Sequence, residues 1–181
     1  MSQKYAAYDK SGAITGFYDS VDSPVPPGTT AIEITHAQWQ TCLSTPGYSV
    51  SNGILTPPSS AMLLTQAQTA QIALLRADYE AAILAPISFK TAAGATAMFA
   101  TTPAAIGYLQ GVIDAGSAAW TANLWLSNAG TPITPFTFAD VQGLAAAIEA
   151  VETPEYQELL KLIGEVMAAT NVSVVKGVIW A

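Results

Sequence analysis

The stretch Thr131–Ala150, TPITPFTFADVQGLAAAIEA, constrains the fold most. Pro132 and Pro135 bracket a short extended segment, Ile133 to Phe136. Proline fixes its own φ and drives the residue before it out of the helical region. A helical pattern begins at once after that. Thr137 is suited to an N-cap, and Asp140, three positions on, completes a capping box at the positive end of the helix dipole. Val141, Leu144, Ala145, Ile148 and Val151 then recur at helical spacing as one apolar stripe. An extended segment, a sharp stop and a capped helix together predict the centre of an α+β domain.

Such a domain needs a core, and the composition supplies one. Of 181 residues, 51% are hydrophobic and only 10% are charged, which argues against disorder. Much of the apolar fraction is alanine, which packs closely but buries little area per residue. A chain so weakly charged is also free to expose apolar surface to a partner. Thirteen Asp and Glu against six scattered Lys and Arg residues give a net charge of −7, so phosphate neutralisation is out of reach and no nucleic-acid partner is expected. Cys42 is the only cysteine, which excludes an internal disulfide and fits a reducing compartment. The first ten residues, MSQKYAAYDK, lack the apolar run of a secretory signal. Every other apolar run is broken by Gly, Pro or Thr short of a membrane span, so no membrane partner is expected either.

Residues 1–56 read as a β-rich module. Lys4–Tyr8 and Ile14–Tyr18 flank the turn Asp9-Lys10-Ser11-Gly12 and predict a hairpin with aromatic cross-strand neighbours. Ser23–Gly28, SPVPPG, is too proline-rich for a ladder and predicts a loop. Thr30–Ile34 is a third strand. Thr35 and Gln38 then form a capping box for a short helix, His36–Leu43, with Trp39 and Leu43 on one face. Gly47–Leu55 reads as a second hairpin about Asn52-Gly53.

Residues 57–62 form a stiff Pro/Ser linker, and residues 63–181 a helix-rich C-terminal domain with short strands. A long helix, Leu63–Leu84, is predicted to start at a capping box of Thr65 and Gln68. It carries two stripes: Ile72, Leu75, Tyr79 and Ile83, and beside them Ala67, Ala70, Leu74, Ala77 and Ala81. A helix apolar over that much of its surface is buried between layers or pairs with a second copy of the chain. Ile87–Lys90 and Thr96–Ala100 predict a hairpin; Thr102 and Pro103 start a helix that buries Ile106, Leu109, Val112 and Ile113. Asn123–Ser127 is a strand bearing Trp125, turned back into the central segment by Asn128-Ala129-Gly130. Beyond the central helix, Thr153-Pro154 predicts a separate helix to about Ala169, with Leu159, Leu160, Ile163, Val166 and Met167 as its apolar face. Asn171–Trp180 fits a short helix better than a strand.

The chemistry of catalysis is hard to find. His36 is the only histidine, and no Cys/His spacing suits a metal, so neither metal nor cofactor is expected. His36 and Cys42, six residues apart on one short helix, do not face each other as nucleophile and base must. Asp19, Asp22, Glu149, Glu152 and Glu155 read as solvated positions rather than an acid–base pair in a cleft. No glycine-rich phosphate loop is present. No catalytic residue is assigned, and the chain does not read as an enzyme. Tyr5, Tyr8, Phe17, Tyr18, Trp39 and Tyr48 form either the core of the small β module or a sugar-binding platform.

Two stretches carry a family resemblance. TGFYDS, a proline-rich loop, TAIEITHAQWQTCL and an Asn-Gly hairpin resemble the N-terminal module of phage tail fibre assembly proteins, through Gly16, Phe17, Tyr18, Ile32, Ile34, Thr35, Trp39 and Leu43. The region from ISFKTAAGATAMF through PFTFADVQGLAAAI to VIW resembles a domain of unassigned function in phage and prophage tail proteins. Its matching residues include Ile87, Phe89, Pro135, Phe136, Thr137, Asp140, Val141, Leu144 and Trp180.

The resemblance implies a chaperone that binds the C-terminal tip of a receptor-binding tail fibre and helps it trimerise. It would act in the host bacterial cytoplasm during assembly, some members staying on the virion tail. The partner surface is then expected on the aromatic N-terminal module, with Phe17, Tyr18 and Trp39 as candidates, because the C-terminal domain can bury its own stripes. Two alternatives stand beside this: a structural tail component binding host carbohydrate through the N-terminal aromatics, and an enzyme acting on a surface polysaccharide.

Overall fold

The computed structural model describes residues 2–180; Met1 and Ala181, the outer limits of the two predicted modules, lie outside the described residues. The protein is α+β, with small antiparallel sheets and long helices. It divides into two compact units, one up to Ala67 and one from Gln68 on. The division falls inside a continuous helix.

In the first unit, β1 (Lys4–Tyr8), β2 (Ile14–Asp19) and β3 (Ala31–Ile34) form a three-stranded sheet with β1 in the middle. Both partners run antiparallel to β1, and the β1–β2 register places Ala6 opposite Phe17 and Tyr5 opposite Tyr18. The hairpin turn is held by Asp9, whose carboxylate accepts hydrogen bonds from Ser11 N–H at 2.8 Å and Ala13 N–H at 3.1 Å. Gly12 has φ +86, and its carbonyl accepts from Val50 N–H at 2.7 Å. A Cβ at Gly12 would lie 2.2 Å from the Val50 carbonyl oxygen, so only glycine fits there. The second hairpin, β4 (Ser49–Ser51) and β5 (Ile54–Thr56), turns at Asn52-Gly53, both with positive φ.

Helix α1 (His36–Ser44) opens with the Thr35–Gln38 capping box. Its inward side is turned by one residue from the expected face. Trp39 is half-buried and Cys42 is buried, whereas Leu43 is 56% exposed.

Helix α2 (Ser60–Ile83) begins three residues earlier than expected, so the last half of the predicted linker is already helical. Its first turn is capped by Ser59, whose hydroxyl accepts from Met62 N–H at 3.1 Å. The expected Thr65–Gln68 capping box does not form. Thr65 lies within the helix and donates to the Ala61 carbonyl at 3.0 Å. Gln68 instead reaches across the second unit.

In that unit a cluster of buried residues is made by Phe99, Leu109, Phe136, Val141, Leu144 and Ile148. It is enclosed by the hairpin β6 (Ile87–Lys90) and β7 (Thr96–Phe99), by α3 (Pro103–Ala115), and by the first half of α4 (Phe138–Ala168). Thr102 caps α3 with Pro103 in its first turn. Beyond Gly116 the chain loses helical form until β8 (Trp125–Leu126), which pairs with β9 (Pro132–Ile133). The strand predicted over Asn123–Ser127 is thus shorter, because Asn123 adopts φ +48 and breaks the extended run. The Thr134–Pro135 peptide is cis, and Thr137 and Asp140 form their capping box as the sequence predicts.

Helix α4 corrects a second expectation. It runs unbroken through Pro154, where a new helix was expected to start. Pro154 is exposed, so its ring does not intrude on packing, and the buried positions stay in register on either side of it. Ile148 and Leu159 are eleven residues apart, close to three full turns. The buried face of the second half is Leu159, Leu162 and Val166, while Leu160 and Met167 are exposed.

Gln68 of α2 donates to the carbonyls of Val166 at 3.1 Å and Met167 at 3.4 Å, covering the open C-terminal end of α4. Gln71 donates to the Val178 carbonyl at 2.7 Å, just beyond α5 (Val172–Gly177). Of the two α2 stripes, Leu75 is buried and Ile72, Tyr79 and Ile83 half-buried, whereas Ala70, Leu74, Ala77 and Ala81 face outward.

Candidate functional site

The three expected partner-binding residues do not form one patch. Successive side chains on a strand point to opposite faces. Phe17 shares a face with Ala6, Ile32 and Lys4, as the registers of β1 with β2 and β3 require. It lines a hollow of about 430 Å³ with Cys42 of α1, Tyr48 and Met62. Trp39 belongs to the same side: the Lys4 ammonium sits 4.7 Å from its ring centroid, a cation–π contact, and His36 packs 5.4 Å away. Lys4 also pairs with the Asp19 carboxylate. That ion pair, with hydrogen bonds from Ser2, Val21 N–H and Asp22 N–H, holds Asp19 well below the usual carboxylate range.

Tyr18 lies on the other face. It stands across from Tyr5, and its ring passes 3.4 Å from where a Cβ on Gly16 would be. Phe17 and Trp39 therefore lie on the same side of the sheet, the side that α1 covers, and Tyr18 is on the other, beside Tyr5. A polar hollow of about 740 Å³ at the hairpin turns is lined by residues including Tyr8, Asp9, Lys10 and Asn52. The Asp9 carboxylate there is lowered first by its bond from Ser11, one of the hydrogen bonds by which it anchors the turn.

The second unit carries an aromatic group that the sequence reading did not single out. Trp125 stacks on Phe136 at 5.6 Å, on the buried side, and meets Tyr108 at 5.2 Å on the outer side. Trp120 packs 5.7 Å from Trp125 and donates its indole N–H to the Phe136 carbonyl at 2.8 Å. The series continues inward through Phe99 and Phe89. Tyr108 is 61% exposed at its end. Apolar grooves of about 420 Å³ and 530 Å³ both contain Tyr108 and Ala122, and no charged residue lines either. One available signal was the pairing of Trp120 and Trp125 in a segment with too few apolar neighbours to bury both.

The residues of the second resemblance split between two places. Phe136, Val141 and Leu144 are core, with Ile87 and Phe89 packed against them. Asp140 ties that core together. Its carboxylate accepts from Ala92 N–H in the β6–β7 turn at 2.7 Å and from Thr137 N–H at 2.8 Å. Burial pushes the Asp140 pKa up, and these bonds outweigh it and leave the group lowered. Trp180 is elsewhere, 6.3 Å from Tyr79, which also meets Tyr156. Burial, then the charge of Glu152, raises the Tyr79 hydroxyl.

Among the described residues no three His, Cys, Asp or Glu side chains converge as a metal would require, and no helix is long and apolar enough to cross a membrane. No family model, curated protein or solved structure matches this chain.

Proposed function

We propose that the protein is a tail fibre assembly chaperone, binding the C-terminal tip of a phage or phage-like receptor-binding fibre and promoting its trimerisation. One observation carries the reading. The two halves of the resembling motif, the Gly16-Phe17-Tyr18 strand and the Thr35–Leu43 segment, belong to one sheet-and-helix module. Within it Ile34 and Cys42 are buried, so the module has a small core of its own and leaves side chains over for a partner. Tyr18, opposite the α1 side, is the aromatic residue best suited to contact the fibre. Apolar anchors with a polar rim are how such interfaces gain affinity.

The test is co-expression with a candidate receptor-binding tail fibre, followed by gel filtration of soluble fibre. Wild-type protein is expected to yield trimer. Tyr18→Ala is expected to keep its melting temperature within a few degrees and to lose most of that yield. An unchanged yield with the folded variant, or a fibre that trimerises equally well alone, would overturn the proposal.

The adjacency of Tyr5 and Tyr18 supports a second reading, a retained tail component that holds host carbohydrate on that face. Titration with host glycans separates the two, since a sugar platform would lose binding in Tyr5→Ala without any effect on fibre yield.

A further inference from the structure

The 530 Å³ groove of the second unit has the form of a vacant strand position. Strands β7 and β8 approach where Asn128 N–H donates to the Met98 carbonyl at 2.7 Å. From there they part. Ala100, just past β7, is on one side of the groove, and Leu124 to Ser127 are on the other, with Tyr108 of α3 between the Trp125 ring and solvent. The β8–β9 ladder uses Trp125 opposite Ile133, and its bond from Ser127 N–H to the Thr131 carbonyl, at 2.9 Å, continues the same alternation. An antiparallel ladder directs alternate residues to the partner strand, so the N–H and C=O groups of Leu124 and Leu126 point to the opposite edge. Among the described residues no strand pairs with that edge: β7 pairs with β6, and β8 with β9.

Open strand edges are templates for another chain, and natural proteins usually blunt them with charge, proline or a covering loop. Here neither groove about Tyr108 has a charged residue in its lining, and Leu126 is 55% exposed. We infer that this edge receives an extended, uncharged segment of a partner polypeptide, paired to the backbone at Leu124 and Leu126, with alternate side chains resting on Tyr108 and Trp125. Three features select this occupant. The available polar groups are main-chain donors and acceptors at strand spacing, which match a peptide repeat. The walls are apolar and neutral, so a charged segment would be desolvated there without an opposing charge. A sugar would need several directed polar side chains; the Ser127 hydroxyl is already engaged by Thr131 N–H at 3.0 Å, which leaves Asn128, the Tyr108 hydroxyl and the Trp125 indole N–H, and the oligosaccharide below tests them.

The inference concerns a different unit from the fibre-binding face proposed above and is tested without any fibre. The full chain, labelled with ¹⁵N, is titrated with a blocked nine-residue peptide of alternating valine and threonine. Three companions are run: the same peptide with N-methyl groups on alternate residues, one with glutamate at alternate positions, and a neutral oligosaccharide. The amides of Leu124, Leu126 and Tyr108 are expected to shift with the unmodified peptide. N-methylation, glutamate and Tyr108→Ala are each expected to weaken binding about tenfold or more. Tyr108 is exposed, so its variant is expected to fold, and the N-methylated peptide tests pairing without altering the protein. No binding at millimolar peptide overturns the inference. Equal affinity for the N-methylated peptide also overturns it. A response of these amides to the oligosaccharide alone would make the site a sugar platform. A response to protein concentration alone, with a larger species in sedimentation, would make the occupant a second copy of this chain.

Discussion

Asp140 is a carboxylate only 3% exposed, and it joins two elements that are far apart in the chain. It closes the first turn of α4 and also holds the β6–β7 turn through Ala92. Asp140→Ala is therefore expected to cost more than an ordinary cap, about 1–3 kcal/mol, measured as a shift in the urea midpoint. Thr137→Ala should cost about 0.5–2 kcal/mol, and the double variant less than the sum, because one box serves both. The pKa of Asp140 is lower in the folded protein than in the unfolded chain. Its contribution is complete above about pH 4–5, where an unfolded aspartate is ionised, and is lost as pH falls through the folded value. The stability gap between wild type and Asp140→Asn should accordingly shrink as the solution is acidified from pH 7. Gly12 offers a simpler case. Alanine there meets both a left-handed φ and the Val50 carbonyl, so Gly12→Ala should lower the stability of the first unit by about 2 kcal/mol or more, read by thermal unfolding of the isolated residues 2–59 or of the full chain.

At the scale of elements, the sequence was most legible where local chemistry decides the outcome. The capping boxes of α1 and α4, the Asn52-Gly53 hairpin and the Thr102-Pro103 start all follow from the residues at those positions. It misled where tertiary packing overrode a local signal. Thr65 and Gln68 have the spacing of a box, yet Gln68 serves the far end of α4 and the helix begins at Ser60. Thr153-Pro154 has the form of a helix start, yet the apolar register of α4 continues through it and keeps one helix. That continuity is checkable. Within a helix Pro154 lacks a hydrogen-bond donor and crowds the carbonyl four residues back, so Pro154→Ala should stabilise the second unit by about 1–3 kcal/mol. At the first turn of a separate helix, the same substitution would leave stability unchanged or lower it. The aromatic shelf was illegible for a related reason: Tyr108, Trp120 and Trp125 come from a helix, a loop and a two-residue strand, and no single periodicity contains them.

For the whole molecule, the extended residues between β5 and α2 are the expected weak point. Pro57 to Ser59 include two prolines and precede the first turn of α2. Limited proteolysis should cut there first and release a stable C-terminal fragment; first cuts within α2 would show instead that the division lies inside the helix in solution too. The reach of α2 has a further consequence for how the protein is made. Gln68 and Gln71 bond to backbone 98 to 107 residues further along the chain. At about 5–20 residues per second, a ribosome needs roughly 5–20 s to produce those partners. Throughout that interval the carbonyls that Gln68 and Gln71 bond to are missing, so the second unit closes only after α4 and the segment at Val178 have emerged. A stalled or shortened message would leave a nascent chain with its N-terminal module finished and a bare apolar helix hanging from it, the kind of intermediate that cellular holdases and proteases detect.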